Sequence, residues 1–114
     1  MIAVIFESWP APGKMQTYLD MGASLQSHLA SQEGFISLER FQSVTDPGKL
    51  VALSFWQDEA AVDRWRNTAV HRIVQAKSRH AVFDNYRLRV AAVLRDYGKY
   101  ERAEAPADSR ATHD

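Results

Sequence analysis

Two hydrophobic periodicities alternate along this chain, and their order limits the folds that it can adopt. Residues 2–6 are β-branched and aromatic, which favours a strand. Residues 14–32 carry apolar side chains at spacings of three and four, which predicts an amphipathic helix. Strand patterns return at residues 35–42 and 50–56, and the turn sequence between them predicts a hairpin.

The second half of the chain repeats the change from helix to strand. Asp58 and Thr68 are placed to cap successive helical segments, so we predict a helix that is broken near Thr68. Residues 85–97 alternate between apolar and polar side chains, which predicts a long final strand. Residues 99–114 have little to bury, so we predict a folded domain over residues 1–98 and a flexible tail over residues 99–114.

The order strand, helix, strand, strand, helix, strand is typical of an α+β ferredoxin-like sandwich, whose helices cover one side of an antiparallel sheet. The alternation in the second strand puts Ile36 and Leu38 on one side and Phe35 and Phe41 on the other. The uncovered side would expose more apolar surface than a monomer tolerates. We therefore predict a homodimer that pairs these sheet faces, with the last strand reaching the partner.

Composition excludes several classes of function. The chain has 14 Lys+Arg and 14 Asp+Glu, and a balanced charge argues against a nucleic-acid partner. It has no cysteine, which excludes disulfides, thiolate zinc sites and cysteine nucleophiles. Its apolar runs are shorter than the roughly 18 residues that span a bilayer, and the N-terminus carries no basic leader. We expect a cytoplasmic protein that does not bind membranes.

The segment around the predicted helix break combines an aromatic ring with a titratable group. Trp65 is either a residue that fills the core or the wall of a pocket. His71 has the only nearby side chain that titrates near neutral pH, and it either moves a proton or is solvated. The four histidines show no paired metal-ligand spacing, so we predict no metal site.

Arginines recur on one face of the predicted last strand. Arg87, Arg89 and Arg95 either form a clamp for an anion or pair across strands with Glu7 or Glu39.

Four segments of the chain resemble the antibiotic biosynthesis monooxygenase domain family. They are residues 34–41 (GFISLERF), 53–61 (LSFWQDEAA), 65–67 with 70–72 (WRN and VHR), and 86–90 (YRLRV). The likeness extends over nearly the whole chain up to Tyr97. It implies a ferredoxin-like chain that pairs into a dimeric α+β barrel, with a pocket between the helices and the sheet of each subunit.

The resemblance also implies a chemistry. Members of this family oxidise electron-rich phenols or hydroquinones with O2 as co-substrate and without metal or flavin. Trp65 matches the pocket tryptophan of the family, His71 is the expected acceptor of the phenolic proton, and Arg87 is expected to stabilise the substrate anion. The expected apolar wall of the pocket consists of Phe41, Phe55 and Trp56.

Two other functions remain open at this point. Related family members bind and degrade haem with an asparagine on the first strand, the helix tryptophan and a later histidine. Here the first strand lacks asparagine and the position of that histidine is Gln75, although His71 lies one helical turn before it. The other alternative is a dimeric module that binds a small ligand or serves a stress response without catalysis, because a fold does not determine a function.

Overall fold

The computed structural model describes residues 1–68, 71–72, 75–76 and 82–114. Its strands and helices are β1 (Ile2–Pro10), α1 (Met15–Ala30), β2 (Phe35–Gln42), β3 (Leu50–Trp56), α2 (Glu59–Arg66), β4 (Phe83–Ala92) and α3 (Ala107–His113). The strands form one antiparallel sheet in the order β2-β3-β1-β4. The predicted ferredoxin-like α+β arrangement is confirmed. No helix in the described residues is long and apolar enough to cross a lipid bilayer.

The predicted helix caps are present. The Asp58 side chain accepts a hydrogen bond of 2.8 Å from the Ala61 N–H, which holds the start of α2. The Thr68 hydroxyl accepts one of 3.2 Å from the His71 N–H, and residues 71–72 and 75–76 are helical. The rest of the predicted continuation after Thr68 lies outside the described residues.

The strand register defines two faces of the sheet. Val4 pairs with Ser54 and Val90 on the face that α1 and α2 cover, which we call the helix face. Ile5 pairs with Leu53 and Arg89 on the opposite face, which we call the open face. Each side chain is therefore assigned to a face by the pairing of its strand.

The buried core on the helix face consists of two clusters. The first joins α1 and α2 to the sheet and contains Leu25, Leu29, Trp56, Ala61 and Trp65. The second lies toward the start of α1 and contains Tyr18, Leu50 and Val82.

A β-bulge changes the predicted faces of β2. The register shifts between Phe35 and Ser37, so Phe35 packs against the first core cluster, with its ring 5.2 Å from that of Trp56. Ile36 is 48% exposed instead of joining Leu38, which packs against the core. The predicted placement of Ile36 and Phe35 was wrong, because a bulge moves one residue out of the alternation.

The strand ends also differ from the prediction. β1 continues to Pro10, because Trp9 and Pro10 pair with β4 through a register shift. β4 begins at Phe83 and ends at Ala92, which pairs with Ile2, and the Val93 N–H donates to the Met1 carbonyl. The predicted strand over residues 85–97 was too long, since β1 offers no partner beyond this point.

The segment after Gly98 contains the short helix α3, which the tail prediction did not include. Arg102 donates to the Gly98 carbonyl, to Ser109 Oγ and to the Asp114 carboxylate. These bonds join the two ends of a short unit that includes α3. Most of these contacts are polar, although Ala105 is buried in the same segment.

The open face carries the apolar surface that the sequence indicated. Ile5, Val51, Leu53 and Phe55 are partly exposed there, and Phe41 is 46% exposed. The homodimer that would cover this face stays a prediction.

Candidate active site

A cavity of about 770 Å³ lies between the helix face of the sheet and the helices. Its floor includes Val4, Ala52 and Ser54 on the central strands, and Leu88 on the edge strand β4. Trp56 also lines the cavity, and its indole N–H donates a hydrogen bond of 3.0 Å to Ser54 Oγ. Most of the cavity surface is apolar, and five charged residues also line it: Arg40, Glu59, Asp63, Arg66 and Arg72.

Trp65 belongs both to the core and to the cavity wall. It lies on the buried stripe of α2 with Ala61, and it is 7% exposed. The same indole lines the cavity, with its ring centroid 5.0 Å from that of His71. The two interpretations of Trp65 from the sequence thus describe one position, because the first core cluster forms a wall of the cavity.

His71 lines the same cavity, and its surroundings favour the neutral imidazole. Burial lowers the pKa of His71 below its ordinary value of 6.5, and the positive charges of Arg72 and Arg66 lower it further against an opposing hydrogen bond. That bond joins Nδ1 to the Arg66 carbonyl at 3.4 Å, and a carbonyl oxygen can only accept. Nδ1 therefore carries the proton, and Nε2 is left as the basic nitrogen.

Arg40 on β2 also lines the cavity, and the sequence analysis did not select it. It pairs with Ala52 and lies on the helix face because of the strand register. Its guanidinium carbon lies 5.8 Å from the centre of the Tyr18 ring. The signal in the sequence was weak, since one arginine in an alternating strand is usually a solvated residue.

The matches to known proteins decide the family. The antibiotic biosynthesis monooxygenase model matches residues 1–77. This chain belongs to that family. A jasmonate monooxygenase of Pyricularia oryzae is 46% identical over 93 residues, which are 82% of this chain and 43% of that protein. The chain therefore spans less than half the length of this relative.

Two further proteins are similar to this chain. An uncharacterized Bacillus subtilis protein, YqjZ, is 29% identical over 93 residues, which are 82% of this chain and 79% of that protein. The structure of Rv0793 from Mycobacterium tuberculosis has a TM-score of 0.76 and 18% identity, and covers 85% of this chain and 98% of that one. The latter likeness concerns the fold alone.

Within this monooxygenase family fold, three of the residues expected at the site lie elsewhere. Arg87 pairs with Glu7, Phe41 with Val51, and Phe55 with Ala3, all on the open face. They are absent from the lining of the cavity, whereas Trp56, Trp65 and His71 are present. Arg87 is the neighbour of Leu88, which lines the cavity. Because neighbouring residues of a strand point to opposite faces, Arg87 lies on the open face.

The arginines of β4 contact an acidic partner on the open face. Arg89 Nη1 lies 2.9 Å from Glu7 Oε2, and Lys49 lies 3.4 Å from the other oxygen of that carboxylate. Hydrogen bonding from Arg89 lowers the pKa of Glu7, and Lys49 adds to this effect. The cross-strand interpretation with Glu7 therefore describes Arg89.

The residues of the haem-degrading members are not reproduced in this cavity. The residues of β1 that line it are Val4 and Phe6, and Gln75 lines it at the position of the expected histidine. Within the described part of the chain, no three His, Cys, Asp or Glu side chains are grouped as metal ligands.

Proposed function

We propose that this protein is a monooxygenase that uses O2 without a metal, flavin or haem to oxidise a small aromatic phenol or quinol. The observation that carries this proposal is the contact between Trp65 and a neutral His71 in one apolar cavity. A pure binding module has no need of a basic nitrogen at such a position. Membership of the monooxygenase family supports the same chemistry.

The proposed reaction begins with a proton transfer. Nε2 of His71 accepts a proton from the substrate, and the resulting anion supplies the electrons that reduce O2. A carbon–oxygen bond forms to give a peroxide, which His71 protonates. Cleavage of the O–O bond then leaves a carbonyl on the substrate and releases water, so CH2 and O2 become C=O and H2O.

The roles of the other lining residues follow from their chemistry. Trp65 and Trp56 provide flat apolar surfaces against which an aromatic substrate packs. The apolar floor keeps bulk water away from the anion, which strengthens electrostatic interactions in the cavity.

Jasmonate is a second candidate substrate, and it is favoured by a specific observation. The Pyricularia oryzae relative that is 46% identical to this chain is a jasmonate monooxygenase. Jasmonate is an alicyclic ketone with a carboxylate, so it differs in chemical class from a phenol. Both classes belong in the first test of activity.

The test is oxygen uptake by the purified protein with no added metal, flavin or haem. The substrates are anthrones, naphthols, hydroquinones and jasmonate. We expect uptake above the rate without protein for at least one of them, and a large decrease for Trp65→Phe with the assembly state unchanged. Trp9→Phe is the matched control, because Trp9 donates to Asp46 and does not line the cavity.

Unchanged kinetics in Trp65→Phe would remove that residue from the site. No uptake with any substrate would favour the binding module.

We also propose that the protein is a homodimer joined through its open face. The apolar side chains exposed on this face support the pairing, since a monomer would leave them in water.

A further inference from the structure

Arg40 is a cation on the cavity wall that has no anionic partner. Its Nε is buried and makes no hydrogen bond in the described structure. No carboxylate among the described residues lies within ion-pair distance of it, and the remaining residues of the chain include no Asp or Glu. Buried donors are normally hydrogen-bonded, so this guanidinium lacks an acceptor that a ligand can supply.

The surroundings of Arg40 hold the guanidinium in place without neutralising it. It lies against Gly22 in the middle of α1, where an added Cβ would be 2.6 Å from its Cζ. Glycine inside a helix costs about 1 kcal/mol relative to alanine, and the close approach of Arg40 gives a physical reason for it. The face of Tyr18 adds a weak attraction to the charge.

Arg40 lies at one end of the cavity, and the pair formed by Trp65 and His71 lies at the other. Arg40 contacts Tyr18, which belongs to the second core cluster, whereas Trp65 belongs to the first together with Trp56. Ala52, the partner of Arg40, is four residues from Trp56 along β3, which is roughly 13 Å of strand. A molecule that spans both ends is therefore longer than a single ring.

The charges on the cavity wall differ between its two ends. At the Trp65 end, Glu59 and Asp63 line the cavity together with Arg66 and Arg72, so opposite charges balance there. Arg40 forms no ion pair with any described carboxylate, so an anionic group is favoured beside it. A carboxylate suits this place best, because its two oxygens match the fork of N–H groups on a guanidinium.

We propose that Arg40 binds the carboxylate of an elongated, mainly apolar substrate and thereby determines which molecules the cavity accepts. The position of the oxidised carbon, at the Trp65 and His71 end, rests on the proposed function. The binding of the carboxylate does not, because it needs only the cavity and the unpaired guanidinium.

The test compares acids with their neutral esters in binding experiments. Calorimetric titrations under nitrogen use jasmonate and methyl jasmonate, and 1-naphthylacetate and its methyl ester. We expect the wild-type protein to bind at least one acid about tenfold more tightly than its ester, as for a hydrogen bond to a charged group. Arg40→Met should abolish this preference by weakening the acid alone.

Two further variants separate the charge from its placement. In Gly22→Ala the new methyl group displaces the guanidinium while the charge is retained, so acid binding should weaken several-fold. Arg64→Met removes an exposed arginine of α2 and should keep the full preference. Thermal unfolding of each variant establishes that it is folded, and Gly22→Ala provides the test if Arg40→Met is not.

Equal binding of acid and ester by the wild-type protein, or no binding of either acid, would overturn the proposal. So would a preference that survives both Arg40→Met and Gly22→Ala. An acid preference without oxygen uptake leaves Arg40 as the anion site and refutes the proposed oxidation. Oxygen uptake without an acid preference would refute the role of Arg40 and support the proposed oxidation.

Discussion

At the scale of single residues, the site depends on which groups lose their contact with water. Burial lowers the pKa of His71 and so favours its neutral form, and the guanidinium of Arg40 lines the same cavity. One cavity therefore offers a base and a fixed cation. The base suits a reaction that begins with removal of a proton, and the cation suits the binding of an anionic substrate.

His71 should give the activity a dependence on pH. Its pKa in the folded protein lies below 6.5, so the basic form predominates at neutral pH and is lost as the pH falls through that lowered value. We expect kcat/KM to be flat near pH 7 and to fall toward lower pH with the slope of one proton. His71→Ala should be much slower and should lack this inflection. The measurement is oxygen uptake between pH 5 and pH 8.

Because buffers affect the uncatalysed oxidation, the rate without protein is subtracted at each pH. His28→Ala is the control, since His28 is exposed on α1 and does not line the cavity. An inflection that persists in His71→Ala would assign the proton to another group.

At the scale of elements, caps and alternation were readable from the sequence, whereas irregularities were not. β2, β3 and the start of α2 have the predicted bounds, because each is defined by neighbours in the chain. The bulge at Phe35 and the end of β4 depend on pairing with distant strands. Local patterns carry no information on where such a partner begins.

Asp58 tests the contribution of a local signal to stability. Asp58→Ala removes the side-chain acceptor for the Ala61 N–H at the start of α2, and we expect a loss of about 1 kcal/mol in the free energy of unfolding. The measurement is urea unfolding followed by circular dichroism. Asp63→Ala is the control, because it removes a carboxylate from the same helix outside its first turn. Equal effects of the two substitutions would show that the cap contributes nothing particular.

At the scale of the whole molecule, the two sheet faces have separate roles. The helix face holds the cavity, and the open face presents apolar side chains together with the ion pairs of Glu7. The shift of Arg87, Phe41 and Phe55 from the expected site to the open face makes them candidates for contacts between subunits. Of the residues expected at the site, those on the helix face line the cavity, and those on the open face do not.

The proposed dimer is tested at the centre of the open face. Leu53 lies on the central strand β3 and pairs with Ile5 on β1. In Leu53→Arg, association of two subunits would bury a charge without a partner. We therefore expect the Kd of the dimer to increase at least about a hundredfold. Sedimentation velocity over a range of concentrations measures this. Val44→Arg, at a position that is 97% exposed, is the control and should remain dimeric. A wild-type protein that is monomeric throughout would contradict the proposal.

Local patterns in the sequence were enough to predict the order of elements, the helix caps at Asp58 and Thr68, and the family. These features depend on side-chain periodicity, on hydrogen bonds between residues a few positions apart, and on motifs that are continuous in the chain. The position of Arg40 against Gly22 and Tyr18, in the cavity of Trp65 and His71, could not be predicted in this way. The reason is that strand register assigns each residue to a face, and register is determined by pairing between segments that are far apart in the sequence.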